Sequence, residues 1–236
     1  MRDPRPCTHG FLAAHAANPG KMIYSFPEGA KRMSMFPAFL KLAGRRCLVV
    51  GAGAVGEEKI GGLLRAGADV LVVAPRATRR VRAWAREGKL RWKARKFRPG
   101  DLQGVFLAVA ATSSSSLHGK IYREARLRAV LCNAVDDPPN CDFYYGAVVR
   151  RGGLQIAVST GGHSPALAQR IRRQLERKFR VEYGLWLEEL GEEREKLFAK
   201  AMDPARRRRL LHSLASQRSF EAFLRRRKPK LKKVRK

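Results

Sequence analysis

The sequence predicts an α/β fold in which a doubly wound parallel sheet is followed by a β-hairpin and a small helical region. Short apolar runs alternate with helical patterns between residues 45 and 136, and this alternation is typical of parallel strands joined by helices. A glycine-rich turn lies between the first run and the first helix. Beyond residue 136, turn-forming glycines join two β-rich segments, which indicates an antiparallel pair and excludes a further strand-helix-strand unit there.

The strands and helices of the sheet domain follow from the period of the apolar residues. Strands are predicted at residues 47–50, 70–74, 90–93, 106–110 and 130–133. Helices are predicted at residues 57–66, 81–87 and 117–127. Because a helical connection returns the chain to the same end of the sheet, we expect these strands to lie parallel with helices on both faces.

The second half of the chain changes character. Segments 143–149 and 154–159 are β-rich, and the short connection Arg150-Arg151-Gly152-Gly153 between them predicts a hairpin. Pro165 stands where the first turn of a helix tolerates proline, so it predicts a helix over residues 166–179. Further helical regions are predicted at residues 182–200 and 204–227.

The composition limits the classes of protein to which the chain can belong. The 236 residues include 50 lysines and arginines against 20 acidic residues, and this net charge of +30 attracts polyanions without specifying which. Residues 206–236 hold fourteen of the basic residues and one acid, so more than half of the net charge lies elsewhere. The four cysteines lack paired metal-ligand spacing, so we expect no metal site. No apolar run approaches the roughly 20 residues of a membrane helix, and we expect a soluble cytoplasmic protein.

The glycine-rich turn is the strongest local motif. It reads Gly51-Ala52-Gly53-Ala54-Val55-Gly56. In this pattern Gly51 allows a tight turn, Gly53 lets the backbone approach a pyrophosphate, and Gly56 permits close helix packing. The amides at the start of the following helix attract an anion. The turn therefore predicts a dinucleotide site in a Rossmann-like domain, and a glycine turn without a ligand is the alternative.

The end of the second predicted strand bears on the choice of cofactor. It reads Ala74-Pro75-Arg76, without the acidic residue that usually binds the ribose hydroxyls of NAD. Arg79 and Arg80 follow, and arginine at this place is suited to the 2′-phosphate of NADP. We expect NAD, with NADP as an alternative; these arginines are also compatible with the start of a solvated helix.

Two further strand ends carry polar side chains. Thr112 closes the fourth strand at the carboxyl edge of the sheet, where ligands bind in open α/β folds, and a serine run typical of a helix-capping loop follows it. Asp136 follows the fifth strand, beside the expected nicotinamide position. A carboxylate there can accept a proton while hydride leaves, although aspartate before a Pro-Pro pair is also common in turns.

The loop after the hairpin has the composition of an anion site. It reads Ser159-Thr160-Gly161-Gly162-His163-Ser164 and leads into a helix that carries Arg170, Arg172 and Arg173. Hydroxyl groups, flexible backbone and a helix N-terminus together favour an anion. Capping of the helix by Ser164 explains part of the same pattern equally well.

In order and spacing, these segments resemble the siroheme synthase N-terminal domain family over about residues 35–179. The strand end Asn133-Ala134-Val135-Asp136 and the loop from Ser159 to Pro165 are its most specific elements. The resemblance implies a homodimer that oxidises precorrin-2 to sirohydrochlorin with NAD. Some family members also insert ferrous iron, and whether this chain does so stays open.

The resemblance also implies roles for individual residues. Asp136 corresponds to the family's catalytic aspartate. The implied cofactor contacts are Gly51, Ala52, Gly53, Ala54, Val55, Gly56, Pro75, Arg76 and Thr112. The implied substrate pocket comprises Ser159, Thr160, Gly161, Gly162 and Ser164. Thr160 stands where some relatives have a serine, which puts in doubt any role that needs serine itself.

Five segments are therefore expected. They are an irregular leader (1–34), an NAD(P)-binding Rossmann domain (35–142), a dimerisation and substrate-pocket segment (143–180), a helical C-terminal region (181–227) and a basic disordered tail (228–236).

Two other functions stay open. Another Rossmann-type small-molecule dehydrogenase would bind the cofactor without acting on a tetrapyrrole. A basic nucleic-acid-binding protein would show a salt-dependent affinity that is lost on deleting residues 206–236.

Overall fold

The computed structural model describes the backbone of residues 35–234 and the side chains of residues 35–227, so the expected leader lies outside the described residues. Five parallel strands form one sheet in the order β3-β2-β1-β4-β5. The strands are β1 (Arg46–Ala52), β2 (Asp69–Ala77), β3 (Arg91–Lys93), β4 (Leu107–Ala110) and β5 (Leu131–Ala134). The connecting helices are α1 (Ala54–Arg65), α2 (Arg79–Arg86) and α3 (Ser115–Arg126). The predicted α/β class is confirmed.

Both faces of the sheet are buried, which is why its strands appear in the sequence as continuous apolar runs. Val49 points to the face covered by α1, where it packs with Ile60. Leu48 points to the opposite face, where it packs with Ile121 of α3. All four of these side chains are fully buried. Burial on both sides fixes the register of β1 and therefore the position of the turn that follows it.

The strand order reverses at β1, because β2 lies on one side of it and β4 on the other. At such a switch point the connections leave in opposite directions and open a crevice at the carboxyl ends of the two strands. The glycine turn after β1 and the segment after β4 border this crevice.

The hairpin consists of β6 (Ala147–Arg151) and β7 (Leu154–Val158), which pair antiparallel. The prediction that the first of these strands begins at residue 143 was wrong. Phe143 packs against the core of the sheet domain, and the ammonium of Lys59 lies 4.6 Å from the ring centroid of Tyr145. These aromatic side chains therefore hold the segment to the sheet domain, and pairing with β7 begins only at Ala147.

Four helices complete the chain: α4 (Pro165–Lys178), α5 (Val181–Phe198), α6 (Pro204–Leu214) and α7 (Gln217–Val234). The single helical stretch expected at residues 204–227 is divided, because the hydroxyl of Ser216 accepts a hydrogen bond from the Ser219 amide and caps α7. Helical backbone continues to Val234, into the segment where we expected disorder; lysine, arginine and leucine favour helix there, whereas Pro229 disfavours it. The division of the chain into five segments stays a prediction.

The C-terminal helices pack through aromatic side chains. The ring centroids of Tyr183 and Phe220 are 4.3 Å apart, and those of Trp186 and Phe220 are 4.9 Å apart. Phe223 is fully buried. This small core holds α7 against α5 and leaves the many arginines of α6 and α7 on the outside.

Asp101 gives the sheet domain a measurable acid sensitivity. Burial alone would raise the pKa of this carboxyl, but hydrogen bonds from Arg95, the Arg98 amide and Lys93 lower it to about 2, below its ordinary value of 3.8. Because the folded-state pKa is the lower one, the contribution to stability is complete above pH 4 and is lost as the pH falls towards 2.

We expect the free energy of unfolding to lose about 2 kcal/mol from this group between pH 5 and pH 2. The measurement is chemical denaturation of the wild type and Asp101→Asn across this range. The variant starts less stable, and the difference between the two proteins shrinks on acidification. A difference that stays constant would contradict the prediction.

Candidate functional site

The tight turn after β1 requires glycine at two of its three glycine positions. Gly51 has φ +101°, and a Cβ atom there would lie 2.1 Å from the carbonyl oxygen of Ala111. A Cβ at Gly56 would lie 2.4 Å from the carbonyl oxygen of Gly51. Both glycines are therefore explained by packing within the chain, whether or not a ligand binds.

Gly53 differs from the other two. Its backbone is extended, with φ −75°, and no heavy atom lies within 4 Å of the place where a Cβ would stand. It precedes α1, whose first amides have no partner within the helix. The space beside Gly53 thus combines room for a ligand with unpaired amide donors, which suits a pyrophosphate. Ala52 is buried, so only its backbone can face this space.

The last residues of β2 lie at the surface. Pro75 and Arg76 are exposed at the end of β2. Arg80 stacks on Trp84, with 4.9 Å between guanidinium carbon and ring centroid, and its terminal nitrogen lies 3.7 Å from a Glu57 oxygen. Within residues 35–227, Arg76 makes no ion pair. Arg79 is likewise exposed and without an ion pair among these residues, so Arg76 and Arg79 are both open to a ligand at this edge.

Thr112 lies against the glycine turn. Its methyl carbon would be 3.2 Å from a Cβ at Gly51, and its backbone amide donates a hydrogen bond to Nε2 of His118 across 3.4 Å. Ser114 caps α3 by accepting from the Leu117 amide, so the serine run serves in part as the capping loop that its composition indicated.

Asp136 stands next to Thr112 by strand register. Ala110 of β4 pairs with Ala134 of β5, and both polar residues follow two positions later at the same edge of the sheet. Asp136 is exposed and adopts φ +58°, a left-handed conformation that aspartate tolerates better than most residues. Among the described residues its carboxylate has no hydrogen-bond or ion-pair partner. A left-handed backbone thus carries an exposed, uncommitted carboxylate at the edge of the sheet where the crevice lies.

In the loop after β7, each predicted hydroxyl already accepts a hydrogen bond from the backbone. Ser159 accepts from the Gly161 amide at 3.2 Å, and Thr160 accepts from the Ser164 amide at 3.1 Å. The Ser164 hydroxyl accepts a hydrogen bond from the Leu167 amide and caps α4, which is the capping role that the sequence offered as an alternative to an anion site. A hydroxyl that has accepted one bond keeps its own proton to donate, so the loop offers donors suited to a carboxylate.

The two parts of the predicted site are not joined directly. The glycine turn, Thr112 and Asp136 meet at one edge of the sheet, whereas no hydrogen bond or ion pair within residues 35–227 links them to the Ser159–Ser164 loop. The loop follows Val158, which pairs with Ala147, the residue at which the hairpin begins. It therefore returns to the end of the hairpin that adjoins the sheet domain.

Sequence reasoning missed His118, a buried side chain of α3. Its Nε2 accepts from the Thr112 amide, and its Nδ1 lies 3.5 Å from a carboxylate oxygen of Asp137. The spacing of His118, Ile121 and Ala125 places all three on one helix face and would have indicated an inward histidine. This spacing did not indicate which loops the histidine side chain would contact.

Within the side chains that the structure describes, no group of three or more histidines, cysteines, aspartates or glutamates could hold a metal ion. Cys141 instead donates to the carbonyl of Ala134, and burial raises the pKa of Cys132 to about 12. No helix in residues 35–234 is long and apolar enough to cross a membrane.

Comparison with known proteins agrees with this architecture. Residues 38–147 match the family described as putative NAD(P)-binding, and residues 151–178 match the family described as sirohaem biosynthesis protein central. The first match covers the sheet domain, and the second runs from the end of β6 through β7 and α4.

Individual relatives share the same part of the chain. Siroheme synthase 1 of Cronobacter sakazakii is 41% identical over 159 residues, which are 67% of this chain and 34% of that protein. The siroheme synthase of Nitrosococcus oceani is 39% identical over 152 residues, or 64% and 32% of the two chains. The chain thus spans about a third of these relatives. The solved structure named SirC, precorrin-2 dehydrogenase, is 29% identical with a TM-score of 0.68, covering 81% of this chain and 98% of that one.

Proposed function

The chain belongs to the siroheme synthase N-terminal domain family, and on this basis we propose that it is an NAD-dependent precorrin-2 dehydrogenase. The observation that carries the proposal is Asp136, an exposed carboxylate without a partner among residues 35–227, at the edge of the sheet where the nucleotide turn lies. The structure named precorrin-2 dehydrogenase, which this chain covers almost completely, supports the same activity. The rival small-molecule dehydrogenases lack this support.

The residues at the switch point fit a dinucleotide. The space beside Gly53 and the first amides of α1 would hold the pyrophosphate, and Thr112 would lie along the cofactor between this turn and Asp136. When bound, NAD supplies the hydride acceptor of the reaction. Arg76, which is exposed near the end of β2, would face the adenosine ribose.

Oxidation of precorrin-2 to sirohydrochlorin removes one hydride and one proton from the macrocycle. The Asp136 carboxylate accepts the proton, because no other group in residues 35–227 competes for its oxygens. The carboxylate is exposed, and the backbone that carries it is left-handed. Asp136 is thus the proposed general base, and alignment of the substrate with the cofactor is the other contribution of the protein.

Recognition of the substrate rests on its negative charge. The acetate and propionate groups of precorrin-2 are carboxylates, which the net charge of +30 attracts from a distance. At close range, the hydroxyl protons of Ser159 and Thr160 can be donated to carboxylate oxygens. Gly161 and Gly162, with φ of +60° and +85°, shape the loop that presents these hydroxyls, and Ser164 contributes by fixing the start of α4.

We also infer a homodimer in which the outward face of the hairpin contacts a second copy. Val148 and Ala157 are paired on one face of the hairpin, and Val149 and Ile156 are paired on the other, because alternate residues of a strand point to opposite faces. Val149 is buried, whereas Val148 is half-buried and Ala157 is exposed, so within residues 35–227 the face with Val148 and Ala157 is the less covered one. Ferrous iron enters the proposal only as a substrate for the second reaction of some family members, with Asp136 as the candidate base.

The proposed function is tested by mixing the 236-residue chain with precorrin-2 and following the absorption spectrum of sirohydrochlorin. We expect product with NAD and at least about tenfold lower kcat/KM with NADP, since NAD is the expected cofactor. A reversed preference would assign Arg76 to the 2′-phosphate of NADP. Absence of product with either cofactor, while the dinucleotide still binds, would favour a dehydrogenase for another substrate.

A further inference from the structure

His118 connects the two strand ends of the nucleotide site. It projects from α3 between Thr112, which follows β4, and Asp137, which follows β5. The side chain is only 5% exposed. A buried histidine with two polar contacts is held in one orientation. A shift of one strand end would therefore displace the other strand end through this side chain.

The contacts fix which nitrogen carries the proton. The Thr112 amide is a donor, so Nε2 of His118 must be an acceptor and the proton of the neutral imidazole lies on Nδ1. Nδ1 faces Oδ2 of Asp137, and the same oxygen accepts from the side-chain amide of Asn140 at 2.9 Å. The chain of contacts thus runs from a proposed cofactor contact to the residue next to the proposed base.

We propose that His118 is a positioning residue that couples the cofactor segment at Thr112 to the catalytic turn at Asp136 and Asp137. This inference rests on the proposed function. Its Nε2 accepts from the Thr112 amide beside the proposed dinucleotide site, and its Nδ1 lies 3.5 Å from the carboxylate of Asp137. In the proposal this second, electrostatic contact keeps Asp137 in place and thereby supports the left-handed backbone of the adjacent Asp136. The two nitrogens therefore serve two different parts of the reaction.

Two substitutions separate these contributions. In His118→Asn, the amide stands near the position of Nδ1 and can still donate to Asp137, but it does not reach Thr112. In His118→Gln, the amide oxygen stands near the position of Nε2 and can still accept from Thr112. The asparagine side chain is shorter than that of histidine, the glutamine side chain is of similar length, and both are polar. His212→Gln, at an exposed position of α6, is the matched control.

The measurements are the dissociation constant for NAD, the kcat for precorrin-2 oxidation, and the midpoint of thermal unfolding. We expect His118→Asn to weaken NAD binding by about tenfold with a smaller change in kcat. We expect His118→Gln to lower kcat by about tenfold or more with NAD binding within about threefold of the wild type. His212→Gln should match the wild type in all three.

This split between binding and turnover is what a purely structural histidine would not produce. Equal losses in both variants, or variants that match the wild type, would overturn the proposal. Loss of folding in both would assign His118 to the core alone and would overturn it equally. If the wild-type protein itself fails to bind NAD, the proposed function fails, and the outcome is distinguished from a failure confined to His118.

Discussion

Replacement of Asp136 by asparagine is expected to lower kcat for precorrin-2 oxidation by about 10²- to 10⁴-fold, the usual contribution of a positioned general base. The substitution removes the charge and basicity of the carboxylate while it preserves the shape of the side chain. Asparagine adopts left-handed backbone at least as readily as aspartate, so φ +58° costs the variant nothing extra. The fold and the dinucleotide site should therefore remain intact.

The measurement pairs single-turnover kinetics with the dissociation constant for NAD. We expect the rate to fall and NAD binding to stay within about threefold, since the pyrophosphate is proposed to bind at the Gly53 turn and not at Asp136. Asp69→Asn is the matched control, because it makes the same chemical change at the opposite edge of the sheet, where Asp69 pairs with Arg46 and Arg91 at the surface. A fully active Asp136→Asn enzyme would remove this residue from the mechanism.

The parts of the site that could be predicted are those in which local sequence and fold coincide. The glycine turn is a contiguous pattern at a strand-helix junction, and Gly51 and Gly56 occupy the crowded positions that the pattern requires. Asp136 could be placed at the edge of the sheet because parallel strands end on the same side. Neither inference depended on contacts between distant residues.

The parts that could not be predicted depend on such contacts. Phe143 and Tyr145 have the composition of a strand, and only their packing onto the sheet domain and Lys59 keeps them out of the hairpin. The periodicity of α3 indicates that His118 points inward, but which loops it meets depends on how three segments come together. For the same reason the sequence did not reveal that the glycine turn and the Ser159–Ser164 loop lack a direct bond.

The roles of the three glycines can be separated by experiment, and Gly53 gives the sharpest prediction. In Gly53→Asp, the new carboxylate enters the open space beside the turn, where the negatively charged pyrophosphate is proposed to bind. We expect NAD binding to weaken by about 100-fold or more, because two negative charges are brought within a few ångströms. Aspartate is also a preferred residue before a helix, so the stability of the protein should hold or rise slightly.

Binding and stability therefore change in opposite senses, which general damage to the fold does not produce. Gly53→Asn is the matched control, since it adds the same bulk and caps α1 without the charge, and it should retain more NAD binding than Gly53→Asp. Gly51→Ala is the contrasting variant: its Cβ would collide with the Ala111 carbonyl in a left-handed backbone, and we expect a loss of about 3 kcal/mol or more of stability. Equal NAD binding by Gly53→Asp and the wild type would mean that the pyrophosphate does not lie at this turn. That result would contradict the proposed dehydrogenase site.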